Sequence, residues 1–429
     1  MAERQSIRHD KAAEKASAIL RELLRDSPER DFAIELWDGS RWDPEPSKFC
    51  RFTWQIHSPR VLQALFRSDR ELALAESYIY GDFDVSGDLL AVFPVADYLM
   101  RKEFSIAEKM RLTGLAMGLP SAAESHDFRA QLRGQRHSKS RDQQAISFHY
   151  DVSNEFYELW LDRQMVYSCA YFKTENDSID QAQEQKLEYA CRKLRLKPGE
   201  RLLDIGCGWG GLILHAARNY GVHAVGITLS QQQLALARQR IAEAGLSSRC
   251  EVKLLDYRDA EQLGTFDKVV SIGMIEHVGE NRLPEYFSAA FRLLNPGGVF
   301  LNHGIGRAGN RPKTDQPTFT DVYVFPDGEL VPIATTLNAA EQSGFEPRDV
   351  ENLREHYHLT LVQWLRRLEA NEVRAKELVG DIKYRTWRLY LAGSAHYFRT
   401  GKLDLYQTLL VKSYGDKSGL PFTREDWYR

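Results

Sequence analysis

A glycine-rich turn between two apolar runs constrains the fold of this chain more than any other feature. Leu202 to Ile205 is a short apolar run, glycines follow at positions 206, 208 and 211, and an amphipathic run begins at Leu212. This pattern predicts a strand, a tight turn and a helix. The G-x-G-x-x-G spacing lets a backbone approach a nucleotide closely at the amino end of a helix. Glycine clusters also form ordinary turns, so the spacing alone leaves both interpretations open.

The residues around the turn separate two classes of nucleotide. A dinucleotide site places an acidic residue about 20 positions after the turn, where it binds the ribose hydroxyls. Here positions 224–230 read Ala-Val-Gly-Ile-Thr-Leu-Ser and contain no carboxylate, whereas Asp204 precedes the glycines and Asp256 follows a later apolar run. This arrangement suits S-adenosylmethionine, whose sulfonium and amino groups are cationic and which has no pyrophosphate. The sequence therefore predicts a methyl-donor site.

Length and composition limit the class of protein. A chain of 429 residues predicts two or three domains, and a hydrophobic content of 43% fits a folded protein. The net charge of −3 gives no overall attraction to nucleic acid, so we predict no nucleic-acid partner. The five cysteines are scattered without a C-x-x-C pair, and no apolar run approaches the roughly 20 residues of a membrane-spanning helix. We therefore expect a cytoplasmic protein without a metal site, lying at most on a membrane surface.

Changes of pattern along the chain predict four segments: a helical extension at 1–31, a small α+β domain at 32–118, a basic linker at 119–145 and a larger domain at 146–429. The stretch 75–84 is rich in aromatic and acidic residues, and either forms a binding surface or packs inward. The basic segment contains Arg129, Arg133 and Arg136. It is either a solvated linker or a contact to anionic lipid head groups, at about 1 kcal/mol per basic residue.

Alternating strand and helix patterns in the larger domain predict an α/β fold with a parallel sheet. Strands are predicted at 202–205, 222–227, 251–255, 266–272 and 298–302, with helices at 180–196, 231–244 and 283–294 between or before them. Ligands bind such sheets at the carboxyl ends of the strands. The segment 350–399 is helical and aromatic in pattern, and is long enough to form a lid over that edge.

Several residues near the predicted donor site allow two interpretations. Ser230 and Gln233 form either a helix capping box or, through Gln233 and Thr228, a site for the ribose hydroxyls of the donor. Asp256, followed by Tyr257, either begins a loop or accepts a hydrogen bond from the exocyclic amine of adenine.

Four further residues from separate segments together have the chemistry of a constructed site. Glu276 follows the strand at 266–272 and either orients a base or acts as one. His303 is predicted to follow the last strand, and Cys169 lies in a dense aromatic stretch; each is also compatible with a buried structural role. Tyr357 lies in the predicted helical segment.

The chain from about residue 32 to 412 resembles bacterial cyclopropane-fatty-acyl-phospholipid synthases, and its later part also resembles mycolic acid cyclopropane synthases. The matching stretches are His-Tyr-Asp-Val at 149–152, Tyr-Ser-Cys-Ala-Tyr at 167–171, Leu-Asp-Ile-Gly-Cys-Gly-Trp-Gly-Gly at 203–211, Thr-Leu-Ser at 228–230, Gly-Met-Ile-Glu-His-Val-Gly at 273–279, His-Gly-Ile at 303–305 and Tyr-Val-Phe-Pro at 323–326. Jointly these stretches are specific, although the glycine motif and the Glu-His pair are common among methyltransferases.

The resemblance implies a Rossmann-like methyltransferase domain with a helical lid and a smaller, lipid-associated amino-terminal α+β domain. It implies methyl transfer from S-adenosylmethionine to the cis double bond of an unsaturated phospholipid acyl chain, with a carbocation that bound bicarbonate deprotonates to close a cyclopropane ring. It also implies a homodimer that meets the inner face of the membrane peripherally.

The resemblance also assigns site residues. The positions that match the bicarbonate ligands of the family are Cys169, Glu276, His303, Ile305 and Tyr357. The positions that match donor contacts are Tyr167, Ser168, Gly206, Gly208, Thr228, Gln233, Asp256 and Tyr257, and Asp204 joins them from its place before the glycines. Aromatic faces stabilise a carbocation, and the candidates are Tyr323, Tyr357 and Trp364.

The chain departs from the family pattern at three places. Ser394 stands where some members have a cysteine, the segment 327–332 is one residue longer than in some members, and residues 1–31 fall outside the match. The longer segment 327–332 leaves the acyl-chain preference and the product of the reaction open. Three alternatives follow: a relative that makes methylene- or methyl-branched acyl chains, a small-molecule methyltransferase, and a membrane-bound scaffold without catalysis.

Overall fold

The computed structural model describes residues 10–27, 30–102, 105–117, 119, 128–150, 152–310 and 316–428, which form two compact units. The first unit combines described residues of Met1–Arg129, Thr314–Val324 and Asp381–His396, and the second combines those of Ala130–Lys313, Phe325–Gly380 and Tyr397–Arg429. Both units are discontinuous in sequence, whereas the predicted segments 1–31, 32–118, 119–145 and 146–429 are continuous. Those boundaries stay predictions, and much of the linker, residues 120–127, lies outside the described residues together with Asp151.

The first unit has the predicted α+β character. Its elements before residue 129 are α1 Lys11–Leu23, β1 Phe32–Leu36, β2 Arg41–Trp42, β3 Phe52–Ile56, α2 Arg60–Ala64, α3 Arg70–Ile79, β4 Phe83–Gly87, α4 Val92–Arg101 and α5 Ile106–Met117. The sheet order is β2-β1-β3-β4, with β1 and β3 parallel and the other pairs antiparallel. Phe32 and Phe52 pair across the parallel strands, and their ring centroids are 4.8 Å apart.

The aromatic and acidic stretch 75–84 packs inward. Tyr78 and Ile79 are buried, and the carboxylate of Glu76 accepts hydrogen bonds from the hydroxyl of Tyr323 at 2.8 Å and from Nε of Arg129 at 2.8 Å. A buried carboxylate requires such partners, since an unpaired charge in a core is strongly destabilising. The first interpretation of this stretch, an exposed binding surface, does not describe these residues.

The second unit has the predicted α/β fold. The remaining elements in chain order are α6 Lys139–Tyr150, α7 Asn154–Glu158, α8 Ile179–Leu194, β5 Arg201–Ile205, α9 Gly211–Tyr220, β6 His223–Thr228, α10 Gln231–Glu243, β7 Cys250–Leu254, β8 Phe266–Ile272, α11 Leu283–Leu293, β9 Leu294–Arg307, α12 Phe319–Tyr323, α13 Ile333–Gln342, β10 Glu346–Asn352, α14 Arg354–Ala370, α15 Glu372–Arg399 and β11 Leu403–Val411. Of these, α12 and the 381–396 part of α15 belong to the first unit.

A seven-stranded sheet forms the centre of the second unit, in the order β10-β11-β9-β8-β5-β6-β7. The five strands from β9 to β7 are parallel, and β11 lies antiparallel between β9 and β10. The parallel part agrees with the prediction. The strands β10 and β11 were not predicted, and the helical pattern assigned from residue 350 begins only after β10 ends at Asn352.

The glycine-rich turn has the backbone conformation that its sequence requires. Gly206 and Gly208 have φ angles of +83° and +54°, in the left-handed region that side chains with a Cβ rarely adopt. A Cβ on Gly206 would also lie 3.3 Å from the side chain of Met274. The turn therefore connects β5 to α9 with a backbone that a ligand can approach closely.

The predicted helical segment is present as α14 and α15. Helix α14 packs against α8 and β11, and its buried face includes Tyr357, Leu361, Trp364, Leu365 and Leu368. Helix α15 is interrupted at Gly380, where the backbone is non-helical. Within the described ranges, no helix is long and apolar enough to cross a bilayer.

Candidate active site

A cavity of the second unit lies at the carboxyl ends of β5, β6, β7 and β8 and contains all of the predicted donor contacts. The lining includes Tyr167, Ser168, Asp204, Gly206, Gly208, Thr228, Gln233, Asp256 and Tyr257. Residues that sequence reasoning did not assign also line it, notably Asp142, Ile146 and Tyr150 of α6 and Lys186 of α8. The structure therefore brings the nine predicted residues together from four separate segments.

Asp204 and Lys186 are opposite charges buried in the wall of this cavity. Burial raises the pKa of Asp204 to about 7, and the nearby Lys186 ammonium opposes that rise. Burial lowers the pKa of Lys186 to about 8, although Asp162, Cys169 and Asp204 act in the other direction. The Nζ of Lys186 donates to Oγ of Ser168 at 3.0 Å. The cavity thus presents both an anion and a cation to a ligand.

The capping interpretation of the Ser230–Gln233 pair is confirmed in part, and the ribose interpretation stays a prediction. Oγ of Ser230 accepts a hydrogen bond from the backbone N–H of Gln233 at 3.2 Å and so caps α10. The side-chain oxygen of Gln233 accepts instead from Oγ1 of Thr228 at 2.7 Å. Thr228 and Gln233 therefore hold each other at the cavity wall, where the ribose hydroxyls were predicted to bind.

Asp256 is more constrained than the sequence indicated. Its carboxylate accepts from the backbone N–H of Arg258 at 2.9 Å and from the guanidinium of Arg258 at 2.8 Å. The same guanidinium donates to Asp142 of α6 at 2.9 Å. Asp256 is thus both the start of a short 3-10 helix and one half of a buried ion pair that joins α6 to the cavity wall.

The predicted basic linker belongs to the second unit from Ala130 onward, whereas Arg129 belongs to the first unit. Lys139 pairs with Asp259 at 2.6 Å, Arg141 with Asp327 at 2.9 Å and Arg136 with Glu329 at 3.1 Å. The solvated-linker interpretation is therefore wrong for residues 136–145. Because these positive charges are matched by protein carboxylates, they also give little support to the lipid-contact interpretation.

Glu276 and Ile305, from the predicted catalytic set, are in direct contact. Glu276 lies in a short 3-10 turn after β8, and its Oε1 accepts from the backbone N–H of Ile305 at 2.6 Å. Its Oε2 is buried and has no hydrogen-bond partner among the described residues. Burial raises the pKa of this carboxyl to about 7.

His303 lies inside a strand, not after its end as predicted. It is part of β9, where it pairs with Ile272 of β8 on one side and with Gln407 of β11 on the other. The side-chain nitrogen of Gln407 is 2.9 Å from Nδ1 of His303, and within the described chain Nε2 of His303 is buried without a partner. Burial holds the pKa of His303 well below its usual range, so the imidazole is neutral. The strand continues because β11 supplies a second pairing edge up to Arg307.

Cys169 and Tyr357 meet at one backbone carbonyl. Sγ of Cys169 lies 3.9 Å from the oxygen of Leu353, and the backbone N–H of Tyr357 donates to the same oxygen at 3.1 Å. Burial raises the pKa of the Cys169 thiol far above its usual range. The thiol is therefore protonated near neutral pH, which argues against a role as a nucleophile.

Aromatic rings connect the donor cavity to Tyr357. The ring of Tyr167, which lines the cavity, lies 5.3 Å from that of Trp364, and Trp364 lies 6.1 Å from Tyr357 in an edge-on arrangement. Tyr357 also packs on Phe398 at 4.6 Å. Of the three predicted cation-stabilising residues, Tyr357 and Trp364 belong to this cluster, whereas Tyr323 belongs to the first unit.

The sheet order, the glycine turn and the cavity with its acidic wall define an S-adenosylmethionine-dependent methyltransferase. The model of the mycolic acid cyclopropane synthetase family matches residues 137–408, which is more than half of the chain. The chain therefore belongs to this family.

Named relatives agree with that assignment. The chain is 42% identical over 403 residues to a probable fatty acid methyltransferase of Pseudomonas putida, covering 92% of this chain and 96% of the relative. It is 36% identical over 371 residues to the cyclopropane-fatty-acyl-phospholipid synthase of Escherichia coli strain K12, covering 85% and 87%. Among solved structures, mycolic acid cyclopropane synthase CmaA1 complexed with SAH and CTAB matches with a TM-score of 0.60 and 34% identity, covering 62% of this chain and 97% of that one.

Proposed function

We propose that this enzyme transfers the methyl group of S-adenosylmethionine to the cis double bond of an unsaturated phospholipid acyl chain and closes a cyclopropane ring. The observation that carries the proposal is the buried carboxylate of Glu276, which lies outside the lining of the donor cavity, accepts from the backbone N–H of Ile305 and has a second oxygen without a described partner. Aromatic rings connect the donor cavity to Tyr357. The names of the relatives from Escherichia coli and Pseudomonas putida support a fatty acyl acceptor.

We propose bicarbonate as the base, because the buried polar atoms fit a small anion with one hydroxyl. Oε2 of Glu276 and Nε2 of His303 are buried without partners in the described part of the chain. A carboxylate accepts from a hydroxyl, and a neutral imidazole donates one N–H, so each of the two atoms has hydrogen-bonding chemistry that such an ion requires. The residues that would hold it are Glu276, His303, Ile305, Tyr357 and Cys169, and when bound it supplies a basic oxygen in a site that excludes water.

The protein residues account for the remaining requirements of the reaction. As the carbon–sulfur bond of the donor breaks, a carbon–carbon bond forms and the positive charge passes to the acyl chain, which then loses one proton from the transferred methyl group. The aromatic faces of Tyr357 and Trp364 stabilise this cation by about 1–2 kcal/mol each when desolvated. The protonated Cys169 disfavours a covalent enzyme intermediate, and burial of the group keeps water from the cation.

One experiment separates this proposal from its alternatives. The purified protein is incubated with isotope-labelled S-adenosylmethionine and vesicles of cis-unsaturated phospholipid, and the acyl products are identified by mass spectrometry. Vesicles of saturated phospholipid are the matched control and gain no label. A labelled cyclopropane supports the proposal, a branched chain supports the methylene or methyl alternative, and an unlabelled lipid contradicts a lipid acceptor.

We further propose that the enzyme is cytoplasmic, meets the inner face of the membrane peripherally and forms a homodimer. Support for the membrane contact comes from α5, where Ile106 and Met110 lie one helical turn apart and are 80% and 72% exposed. Replacing both with aspartate is expected to weaken cosedimentation with vesicles, and unchanged cosedimentation contradicts a role for α5. Analytical ultracentrifugation tests the dimer.

A further inference from the structure

Lys186 is a buried cation whose hydrogen-bonding capacity is only partly used. It lies on α8, is 1% exposed, and lines the donor cavity together with Ser168 and Asp204. An ammonium carries three N–H donors. Within the described chain, the one hydrogen bond from Nζ goes to Oγ of Ser168 at 3.0 Å.

The carboxylate of Asp162 favours the charged form of Lys186, but its hydrogen bonds go to backbone groups and not to the ammonium. Its oxygens accept from the backbone N–H groups of Gln164 and Val166, each at 2.8 Å. Asp162 therefore holds the loop before Tyr167 and contributes to Lys186 through its charge. Asp204 is the second carboxylate near the ammonium, and it lines the cavity itself.

A buried cation in this cavity needs an explanation, because the donor also carries positive charges. The sulfonium and the amino group of S-adenosylmethionine would be repelled by an ammonium in a site of low dielectric. The α-carboxylate is the single anionic group of the donor. A site that places this carboxylate at Lys186 converts the repulsion into a charge-assisted hydrogen bond.

We propose that Lys186, together with the hydroxyl of Ser168, recognises the α-carboxylate of the donor and makes the cavity selective for adenosyl ligands that retain it. Asp204 supplies the complementary negative charge for the amino group. The inference rests on the methyltransferase class of the protein and not on the identity of its acceptor, so its test does not require lipid.

The test compares two ligands that differ by the carboxylate alone. Isothermal titration calorimetry with the full-length protein measures the dissociation constants of S-adenosylhomocysteine and of its decarboxylated analogue. Since a hydrogen bond to a charged group contributes about 1.5–3 kcal/mol, we expect the wild-type protein to prefer the carboxylate by about 10- to 100-fold. In Lys186→Met, this preference falls to within about threefold, with the loss confined to the carboxylate ligand.

Lys193 provides a matched control on the same helix. It is 0% exposed, and its ammonium pairs with Glu351 at 2.5 Å and with Asp349 at 3.3 Å, outside the residues that line the cavity. Lys193→Met keeps the wild-type preference for the carboxylate. A wild-type preference in Lys186→Met overturns the inference, as does an equal loss in the two variants.

A second variant decides the matter if Lys186→Met does not fold. Ser168→Ala keeps the buried charge and removes the hydroxyl, and it is expected to reduce the preference by about 3- to 10-fold. An unchanged preference in that variant also overturns the inference. The lipid product assay is independent: absence of a cyclopropane product with normal carboxylate selectivity contradicts the proposed acceptor and leaves Lys186 in its role.

Discussion

At the scale of single residues, Glu276 combines a fixed oxygen with an unsatisfied one. Oε1 is held by Ile305 and Oε2 is buried without a described partner, so the side chain is positioned to accept one more hydrogen bond. Glu276 is absent from the lining of the donor cavity, which separates its function from donor binding.

Replacing Glu276 with glutamine is expected to abolish turnover while leaving donor binding intact. The amide retains the shape of the side chain but presents a weaker acceptor, and loss of general acid–base positioning costs about 10²- to 10⁴-fold in rate. Product formation and the dissociation constant of S-adenosylhomocysteine are measured on the same preparation. Glu285→Gln, at an exposed pair with Arg282, is the control and keeps the wild-type rate. A rate within threefold of wild type would remove Glu276 from the mechanism.

The same substitution has a predictable effect on stability. The pKa of Glu276 is about 7 in the folded protein against 4.5 for the ordinary group, so the folded state holds its proton more tightly than the unfolded state. The free energy of unfolding therefore decreases as pH rises from 4.5 to about 7, by about 3 kcal/mol for this group. Glutamine does not ionise, so the free energy of unfolding of Glu276→Gln does not fall in this way as pH rises. The variant is therefore more stable relative to wild type at pH 8 than at pH 4.5. Denaturant unfolding of both proteins at the two pH values, in buffer free of carbonate, tests this; a difference independent of pH contradicts it.

Residues with local signatures were predicted from the sequence, and those with distant partners were not. The nine predicted donor contacts lie in or next to short motifs, so the family resemblance could assign them. The sequence pattern indicates an ordinary surface charge at Lys186 on an amphipathic helix. In the structure the ammonium is buried and donates to the hydroxyl of Ser168, 18 positions earlier in the chain. Gln407 pairs with His303 across 104 positions and lies on a strand that sequence reasoning did not assign. A hydrophilic residue that becomes buried only through tertiary pairing leaves no periodic signal.

At the scale of elements, the same rule explains which strands were found. The parallel strands β5, β6, β8 and β9 are largely buried on both faces, and their apolar runs predict strands, whereas the edge strand β7 alternates buried and exposed residues. Strand β10 has the sequence Glu-Pro-Arg-Asp-Val-Glu-Asn and no buried residue, because it is an edge strand with pairing on one side. Its charges are typical of an edge protected against aggregation. Helix α6 was likewise not predicted, because most of it lies in a stretch whose composition resembles that of a linker.

Ion pairs of Asp142, Lys139 and Arg141 hold helix α6 at the second unit, and the first two differ most in burial. Arg258 joins Asp142 to Asp256 with side chains that are all nearly buried, whereas Lys139 and Asp259 are about half exposed. Exposed pairs contribute about 0–1 kcal/mol, while breaking a buried pair costs about 3–5 kcal/mol. The position of α6 therefore depends more on Arg258 than on Lys139.

Replacing Arg258 with glutamine is expected to weaken binding of S-adenosylhomocysteine by about 10-fold or more, because Asp142, Ile146 and Tyr150 of α6 line the cavity. Hydrogen exchange of the α6 amides increases in the same variant. Lys139→Gln is the control, with an affinity within about twofold of wild type. Equal effects of the two substitutions would show that burial of the pair is not what holds α6.

At the scale of the whole molecule, the first unit is completed by segments far along the chain. Residues 316–324 and 381–396 belong to it, so neither unit corresponds to one continuous stretch. Arg385 shows what the late segments contribute: its guanidinium donates to the carbonyl of Tyr78 at 2.8 Å, to that of Phe83 at 2.7 Å and to the carboxylate of Asp84 at 2.8 Å. A single buried side chain thus closes the turn between α3 and β4.

Replacing Arg385 with methionine is therefore expected to destabilise the first unit by about 3–5 kcal/mol, because two carbonyls and a partly buried carboxylate lose their donor together. Hydrogen exchange followed by mass spectrometry measures the effect, which should be largest in peptides from 70–87. Peptides from β5 and α9 keep wild-type protection, since their contacts lie within the second unit. Arg374→Met, in the part of α15 before the interruption at Gly380, is the control: its pair with Glu377 is exposed at both ends, so the change is below about 0.5 kcal/mol. Equal loss of protection in both units would contradict the division of the molecule into two separately stabilised bodies, and equal effects of the two arginine variants would contradict the role assigned to Arg385.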